Sequence, residues 1–222
     1  MNAGPSMNRF RLFLANFQRD AMASHWCDVV IIIGLILFAS LSFYVTPEFA
    51  ANLPEDGEDF AVPAVNLLER GKFAVTAYGH DYPPAHPFGV SLLLLPVYVV
   101  TGHFLGNGVY TILLCAFGAI AVTYGLGVKL GGRWCGTLAA LFLITNYGFW
   151  QYSQKIMSEV PSVFLVTSSL ALALLVPVRK RDGWLCLAIG LILGFAVTVR
   201  FDNFLLIGPM LQWIKVIHRR SR

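Results

Sequence analysis

The stretch CDVVIIIGLILFASLSFYV, residues 27–45, decides how the chain is read. Its only charge is Asp28, near one end. Crossing a hydrocarbon layer takes roughly 20 mostly apolar residues, and this run meets that length before Thr46-Pro47. It does not read as a cleaved leader: its basic approach is long, its core exceeds a leader's apolar region, and no small-residue cleavage pattern follows. A retained anchor is expected.

The same reading extends down the chain. Gly108–Val128, Trp134–Trp150, Val160–Val178 and Gly183–Val199 are further expected spans, and Phe204–Ile217 is a shorter one ending in a basic tail. Phe88–Val100 is apolar but short, with Pro96 inside, so it spans, re-enters or lies at the interface. Of 222 residues 57% are hydrophobic and only 13% charged, and the mean hydropathy is +0.67. A soluble domain carries about 25% charge, so lipid is the expected solvent. The fold expected is all-α, a multi-spanning transmembrane bundle over 27–217, behind a cytoplasmic segment 1–26. An external loop over 46–87 carries a juxtamembrane helix. The four cysteines, Cys27, Cys115, Cys135 and Cys186, all lie in apolar segments without CxxC spacing, so they are expected as small buried hydrophobes.

Charge sorting orients the chain. The net charge is +4, and in a membrane protein such an excess marks cytoplasmic loops. Nucleic acid is not an expected partner, because basic residues do not interleave with exposed aromatics as such sites require. Arg9, Arg11 and Arg19 precede the first run and place the N-terminus inside. If 88–104 dips in and returns, Lys129 and Arg133, the 179–181 cluster and the basic tail also fall inside. Only Arg70, Lys72, Lys155 and Arg200 of the 16 Lys and Arg are then external, together with nine of the 12 acidic residues. The expected localisation is an integral multi-pass membrane protein, in the inner membrane if bacterial.

The external loop concentrates chemistry. Glu55-Asp56-Gly57-Glu58-Asp59 precedes an expected surface helix from about Glu58 to Arg70, with Phe60, Ala64, Leu67 and Leu68 at helical spacing, apolar face toward the membrane. Gly71 suits its C-terminus, and Pro63 is tolerated only in a first turn. Asp56, Glu58 and Asp59 either cap and solvate that helix, or one of them is a general base at the membrane surface. The following Tyr78–Pro87 segment is expected to be extended and stiff. It either holds His80, Tyr82 and His86 near Asp56 or serves as a connector. Lys155 and Glu159 lie between two spans, and Arg200 and Asp202 between the last two. Charges so close to hydrocarbon are functional candidates by default, with interfacial ion pairs as the alternative.

These features together resemble the N-terminal half of the GT-C fold glycosyltransferases, which include protein O-mannosyltransferases, lipid A aminoarabinose transferases and the bacterial dolichyl-phosphate-mannose type. The resemblance rests on Asp56, Phe60, Ala64, Leu68 and Gly71, then Tyr82-Pro83-Pro84, then Met157-Ser158-Glu159-Val160-Pro161, and last Gly190, Gly194 and Thr198-Val199-Arg200. It implies Asp56 as catalytic base, Glu159 as a second acid near a phosphate, and Arg200 facing a lipid phosphate. Many members carry Asp-Glu where this chain has Asp56-Gly57, which shifts the second acid's role to Glu58 or Asp59. The implied reaction is inverting transfer of a sugar from a polyprenyl-phosphate donor to an acceptor at the external face. The leaving phosphate is stabilised by cationic groups or a divalent cation, and no metal ligands are assigned. Family members continue with more spans, so the chain is expected to be incomplete at its C-terminus, with a second chain as a partner that completes the fold alongside membrane lipids. The competing class is a non-catalytic membrane subunit or a transporter. A transporter is expected to carry mid-span charges and a repeat, and neither is seen in the sequence.

Overall fold

A computed structural model describes residues 26–51, 55–175, 183–209 and 212. The described residues are mostly helical, with one short hairpin among them. Helix α1 spans Trp26–Ala51 and α2 Glu55–Arg70. Strands β1 (Val75–Ala77) and β2 (His80–Tyr82) follow, and α3 covers Gly89–Thr101. A 3-10 turn at Leu105–Gly108 leads into α4, Val109–Gly131. Then come α5 (Arg133–Thr145), α6 (Tyr147–Ser153), α7 (Glu159–Leu175) and α8 (Gly183–Val199), and a 3-10 stretch over Phe201–Leu206. Among the described residues one helical run, Leu105–Gly131, is long and apolar enough to cross a membrane. The expected segments beyond Leu175 and beyond Pro209 lie largely outside the described residues.

Helix α4 is the centre of the bundle, packed against α5 and α7, while α7 packs on α8 and α1 on α5. Ile112, Ala116, Ala119 and Ile120 are fully buried on it. The α4–α5 hairpin closes through glycine: a Cβ on Gly127 would stand 2.6 Å from Gly136 Cα, so the two backbones touch. Phe38 of α1 meets Phe117 edge-on with centroids 5.4 Å apart.

Two ends of the bundle can be told apart by contacts. At one, Asp28 near the start of α1 pairs with Arg133 at 3.1 Å and accepts from Tyr124, at 3.4 Å. At the other, Gln154 after α6 donates to Ser42 of α1 at 2.9 Å, and α7 begins and α8 ends. Helix α3 stays at this second end. Ser91 near its start donates to the Phe60 carbonyl of α2 at 2.8 Å, and His103 just past its end pairs with Glu69 of α2 at 2.9 Å. Both ends of α3 therefore lie against α2.

Several expectations are corrected. α1 does not stop before Thr46-Pro47 but runs to Ala51, so the loop is shorter than 46–87. α2 starts at Glu55, which puts Asp56 in its first turn instead of ahead of it, and Pro63 lies well inside the helix. Pro63 cannot donate to the Asp59 carbonyl, and the helix tolerates this. The apolar face of α2 is covered by protein: Phe60, Ala61 and Ala64 are buried where α2 meets α3 and the 3-10 turn. Gly71 does end the helix at φ +66, its N–H on the Leu67 carbonyl. The segment 134–150 is two helices, not one: Asn146 breaks it and caps α6 by accepting from Phe149 N at 2.8 Å. The stiff loop begins as a hairpin, with Val75 opposite Tyr82 and Ala77 opposite His80. Its turn, Tyr78-Gly79, has positive φ at both residues, the geometry that matches strand twist.

Candidate functional site

At the α3 end of the bundle lies a cavity of about 280 Å³, bordered by residues from four separate stretches: Asp56 and Phe60, then His86 and Pro87, then Met157–Glu159, then Val199–Asp202. Each charged group has an identifiable support. Asp56 sits in the first turn of α2, where an acid suits the helix dipole. His86 is carried by the segment leading into α3, and its ring stacks on Phe60 with centroids 4.8 Å apart. That stacking holds Nε2 between two carboxylates, 3.8 Å from Asp56 and 3.9 Å from Asp59. At these distances neither contact is a hydrogen bond.

Glu159 opens α7, and Arg200 leaves α8 with an extended backbone, φ −150 and ψ 121. Arg200 Nη1 donates to Glu159 Oε1 at 2.8 Å, and its Nε donates to Asp202 Oδ2 at 3.1 Å. The hydrogen bond to Asp202, aided by the charge of Glu159, raises the Arg200 pKa above its ordinary value. The other oxygen of Glu159, Oε2, is shut off from solvent and has no hydrogen-bond partner among the described residues. A buried polar atom left unpaired costs on the order of 1–3 kcal/mol, which marks this acid as a place where a donor is wanted.

What brings the four stretches together is close packing of α3 on α8. A Cβ on Gly89 would stand 2.5 Å from Thr198 C and O and from Val199 N. Backbone meets backbone there, one residue before Arg200 and three after His86. Beside the cavity, Asn203 and Ser162, both buried, join the turn after α8 to α7: Asn203 Nδ2 donates to Ser162 Oγ and to the Ala196 carbonyl, each at 2.8 Å.

Of the residues singled out from the sequence, Asp56, His86, Glu159 and Arg200 border one cavity. Asp59 touches His86 from beside it. Glu58 is exposed and does not line the cavity. His80 and Tyr82 are exposed on β2 and do not line it either, because pairing with β1 fixes them on the hairpin. There Asp81 bonds to Lys72 at 3.0 Å and to Thr76 at 2.9 Å. Phe60, Asn203 and Ser162 were not anticipated. Phe60 read as a membrane-facing position, and polar residues 41 apart carry no pairing signal in the chain. No group of three or more His, Cys, Asp or Glu side chains among the described residues is disposed to hold a metal. Comparison with protein-family models, with curated proteins and with solved structures finds no match for this chain.

Proposed function

We propose that this protein is a multi-spanning membrane glycosyltransferase, or the N-terminal part of one, that moves a sugar from a polyprenyl-phosphate donor to an acceptor hydroxyl at the external membrane face. The observation that carries the reading is the cavity. Acids, an imidazole and a guanidinium drawn from residues 56 to 202 border one space at one end of the bundle. The family resemblance supplies the reaction class, and the cavity supports it by gathering the residues that the resemblance singles out.

The membrane half of the proposal is supported by what the helices turn outward. Ile32, Ile33, Ile36 and Leu37 of α1, Leu114 of α4, Phe142 of α5 and Leu191 of α8 are all exposed, while Ser42, Ser91 and Asn203 are buried and hydrogen-bonded to other elements. So many large apolar side chains turned outward fit contact with something other than water, and polar groups between helices are the glue expected in lipid. With the Asp28–Arg133 end inside, the cavity end is external. α3, lying against α2 at both its ends, then does not cross.

In this reading Asp56 takes the proton from the acceptor hydroxyl as its oxygen bonds to the anomeric carbon. The bond from that carbon to the phosphate oxygen breaks with its electron pair, and the polyprenyl phosphate leaves. Arg200, held by Glu159 and Asp202, still has unassigned N–H groups and offers a planar charge to the departing phosphate. Transition-state charge of this sort is where fixed donors contribute most. The test is Asp56→Asn, with membranes carrying the protein incubated with radiolabelled polyprenyl-phosphate monosaccharides. Transfer is expected to fall while membrane insertion and yield are unchanged. Transfer at the wild-type rate by this variant removes the catalytic assignment.

A further inference from the structure

Arg200 and Glu159 are 41 residues apart in sequence, and so are Asn203 and Ser162. The two contacts are successive rungs between the same elements, the turn after α8 and the first turn of α7. They differ in surroundings. The Arg200–Glu159 rung faces the cavity, with side chains 39% and 33% exposed. The Asn203–Ser162 rung lies beside it, each residue 7% exposed. An ion pair open to water is held weakly by its own attraction and is free to sample other geometries. A buried amide whose donors would otherwise go unsatisfied has few alternatives.

Every polar atom of the Asn203 side chain is used in this place. One N–H of Nδ2 goes to Ala196 O, a carbonyl in the last turn of α8, and the other to Ser162 Oγ. Ser162 Oγ donates back to Oδ1 at 3.1 Å. The backbone N–H of Asn203 donates to the Arg200 carbonyl at 3.1 Å. The side chain thus ties together the end of one helix, the start of another and the residue that carries the guanidinium. Helix ends need such partners for their last carbonyls, but a cap alone does not require the link to Ser162.

We propose that Asn203 is a positioning residue: its buried amide fixes the turn bearing Arg200 against the start of α7, and so sets the Arg200–Glu159 pair at the cavity wall. The inference deepens the reading of the cavity as the transfer site and rests on that reading only for its consequence in activity. Asn203 touches no reacting atom, and removing it changes how often the guanidinium is in place.

The test has two readouts on the full chain in lipid nanodiscs. In protein labelled with ¹⁵N-arginine, the Arg200 Nη–H signal, from the group that bonds Glu159, is assigned by its loss in Arg200→Lys. In the wild type it is expected to exchange slowly, as in a paired guanidinium. In Asn203→Ala its exchange is expected to speed up by about tenfold, the scale of one lost hydrogen bond. Ser162→Ala, which keeps the Ala196 contact, serves if Asn203→Ala does not fold, and a several-fold rise is expected. An unchanged Arg200 signal in a folded variant overturns the proposal. The second readout is sugar transfer from the polyprenyl-phosphate donors. If the Arg200 signal is disturbed and transfer falls through a lower kcat, both readings hold. If the signal is disturbed and transfer is unaffected, or is absent in the wild type too, the positioning role stands and the assignment of the cavity as a transfer site falls.

Discussion

The two ends of the bundle both carry an arginine paired to an acid from a distant helix, and only one of them reads as a site. At the α1 start, Arg133 meets Asp28 at 3.1 Å, with Tyr124 donating to the same carboxylate. At the other end Arg200 is shared by Glu159 and Asp202, Asp56 and Asp59 both approach His86 Nε2, and one Glu159 oxygen is shut in without a donor among the described residues. Open space adjoins the second group. An ion pair alone is weak evidence for function, since pairs also fasten helices. The cavity end differs in the open space beside its charges and in a buried Glu159 oxygen with no hydrogen-bond partner among the described residues.

The sharpest way to break this contrast is to neutralise one acid at each end. Asp56→Asn is expected to cost about 10²–10⁴-fold in transfer, the usual share of a general base, with little loss of stability because the side chain is 60% exposed. Asp28→Asn should leave the rate of transfer unchanged and lower stability by about 1 kcal/mol or less, given that the pair is a third exposed. Equal effects of the two on transfer rate would erase the distinction. A second paired comparison uses glycine. Gly89→Ala would put a methyl 2.5 Å from the α8 backbone at Thr198, and Gly127→Ala would put one 2.6 Å from Gly136 Cα. Each is expected to destabilise by about 1–3 kcal/mol, the scale of overpacking, read as a drop in Tm. Only Gly89→Ala should also lower transfer per folded molecule, because it pushes Arg200 away from His86. If Gly127→Ala lowers it as much, the packing of α3 on α8 is not what assembles the cavity.

How far the sequence carries this picture differs between the same two classes of feature. Apolar runs and isolated charges are legible because each speaks through its own environment. Sorting charge by side of the membrane groups Asp56, Glu159 and Arg200, and the three border one cavity. Features that depend on a partner were not legible. Tyr78 at positive φ carries none of the Asn-Gly signature that betrays a tight hairpin, so Tyr78–Pro87 reads as a stiff segment, either a connector or one that brings His80 and Tyr82 near Asp56. Asn146 read as a polar flaw in a span, although its side chain caps α6. Phe60 fitted the apolar face of α2 equally well whether lipid or His86 lay against it. Asn203 and Ser162 pair across a fold whose helix ends had first to be placed.

A smaller effect separates the two acids that share Arg200. Asp202 is 77% exposed, so Asp202→Asn removes a screened contact and leaves the Glu159 bond in place. A loss of up to about fivefold is expected, the size of an exposed pair, seen as a higher KM for the donor with kcat nearly constant. A change confined to kcat would instead mean that Asp202 acts on the reaction itself.

The smallest effect lies outside the cavity and asks whether the hairpin belongs to it at all. Asp81 is only about a third exposed, and its hydrogen bond from Lys72, and next that from Thr76, hold its carboxyl below the ordinary 3.8. A carboxyl whose folded value is depressed stabilises the native state above the unfolded value, and that contribution disappears as pH falls through the folded value. The side-chain ¹³C signal of Asp81 is therefore expected to titrate with a midpoint below 3.8, the hairpin contacts loosening only beneath it, with transfer in Asp81→Asn the same as wild type. A midpoint at or above the ordinary value would mean that Lys72 and Thr76 do not hold the acid in solution. A loss of transfer in Asp81→Asn would draw the hairpin into the site and redraw the boundary on which the comparison of the two ends depends.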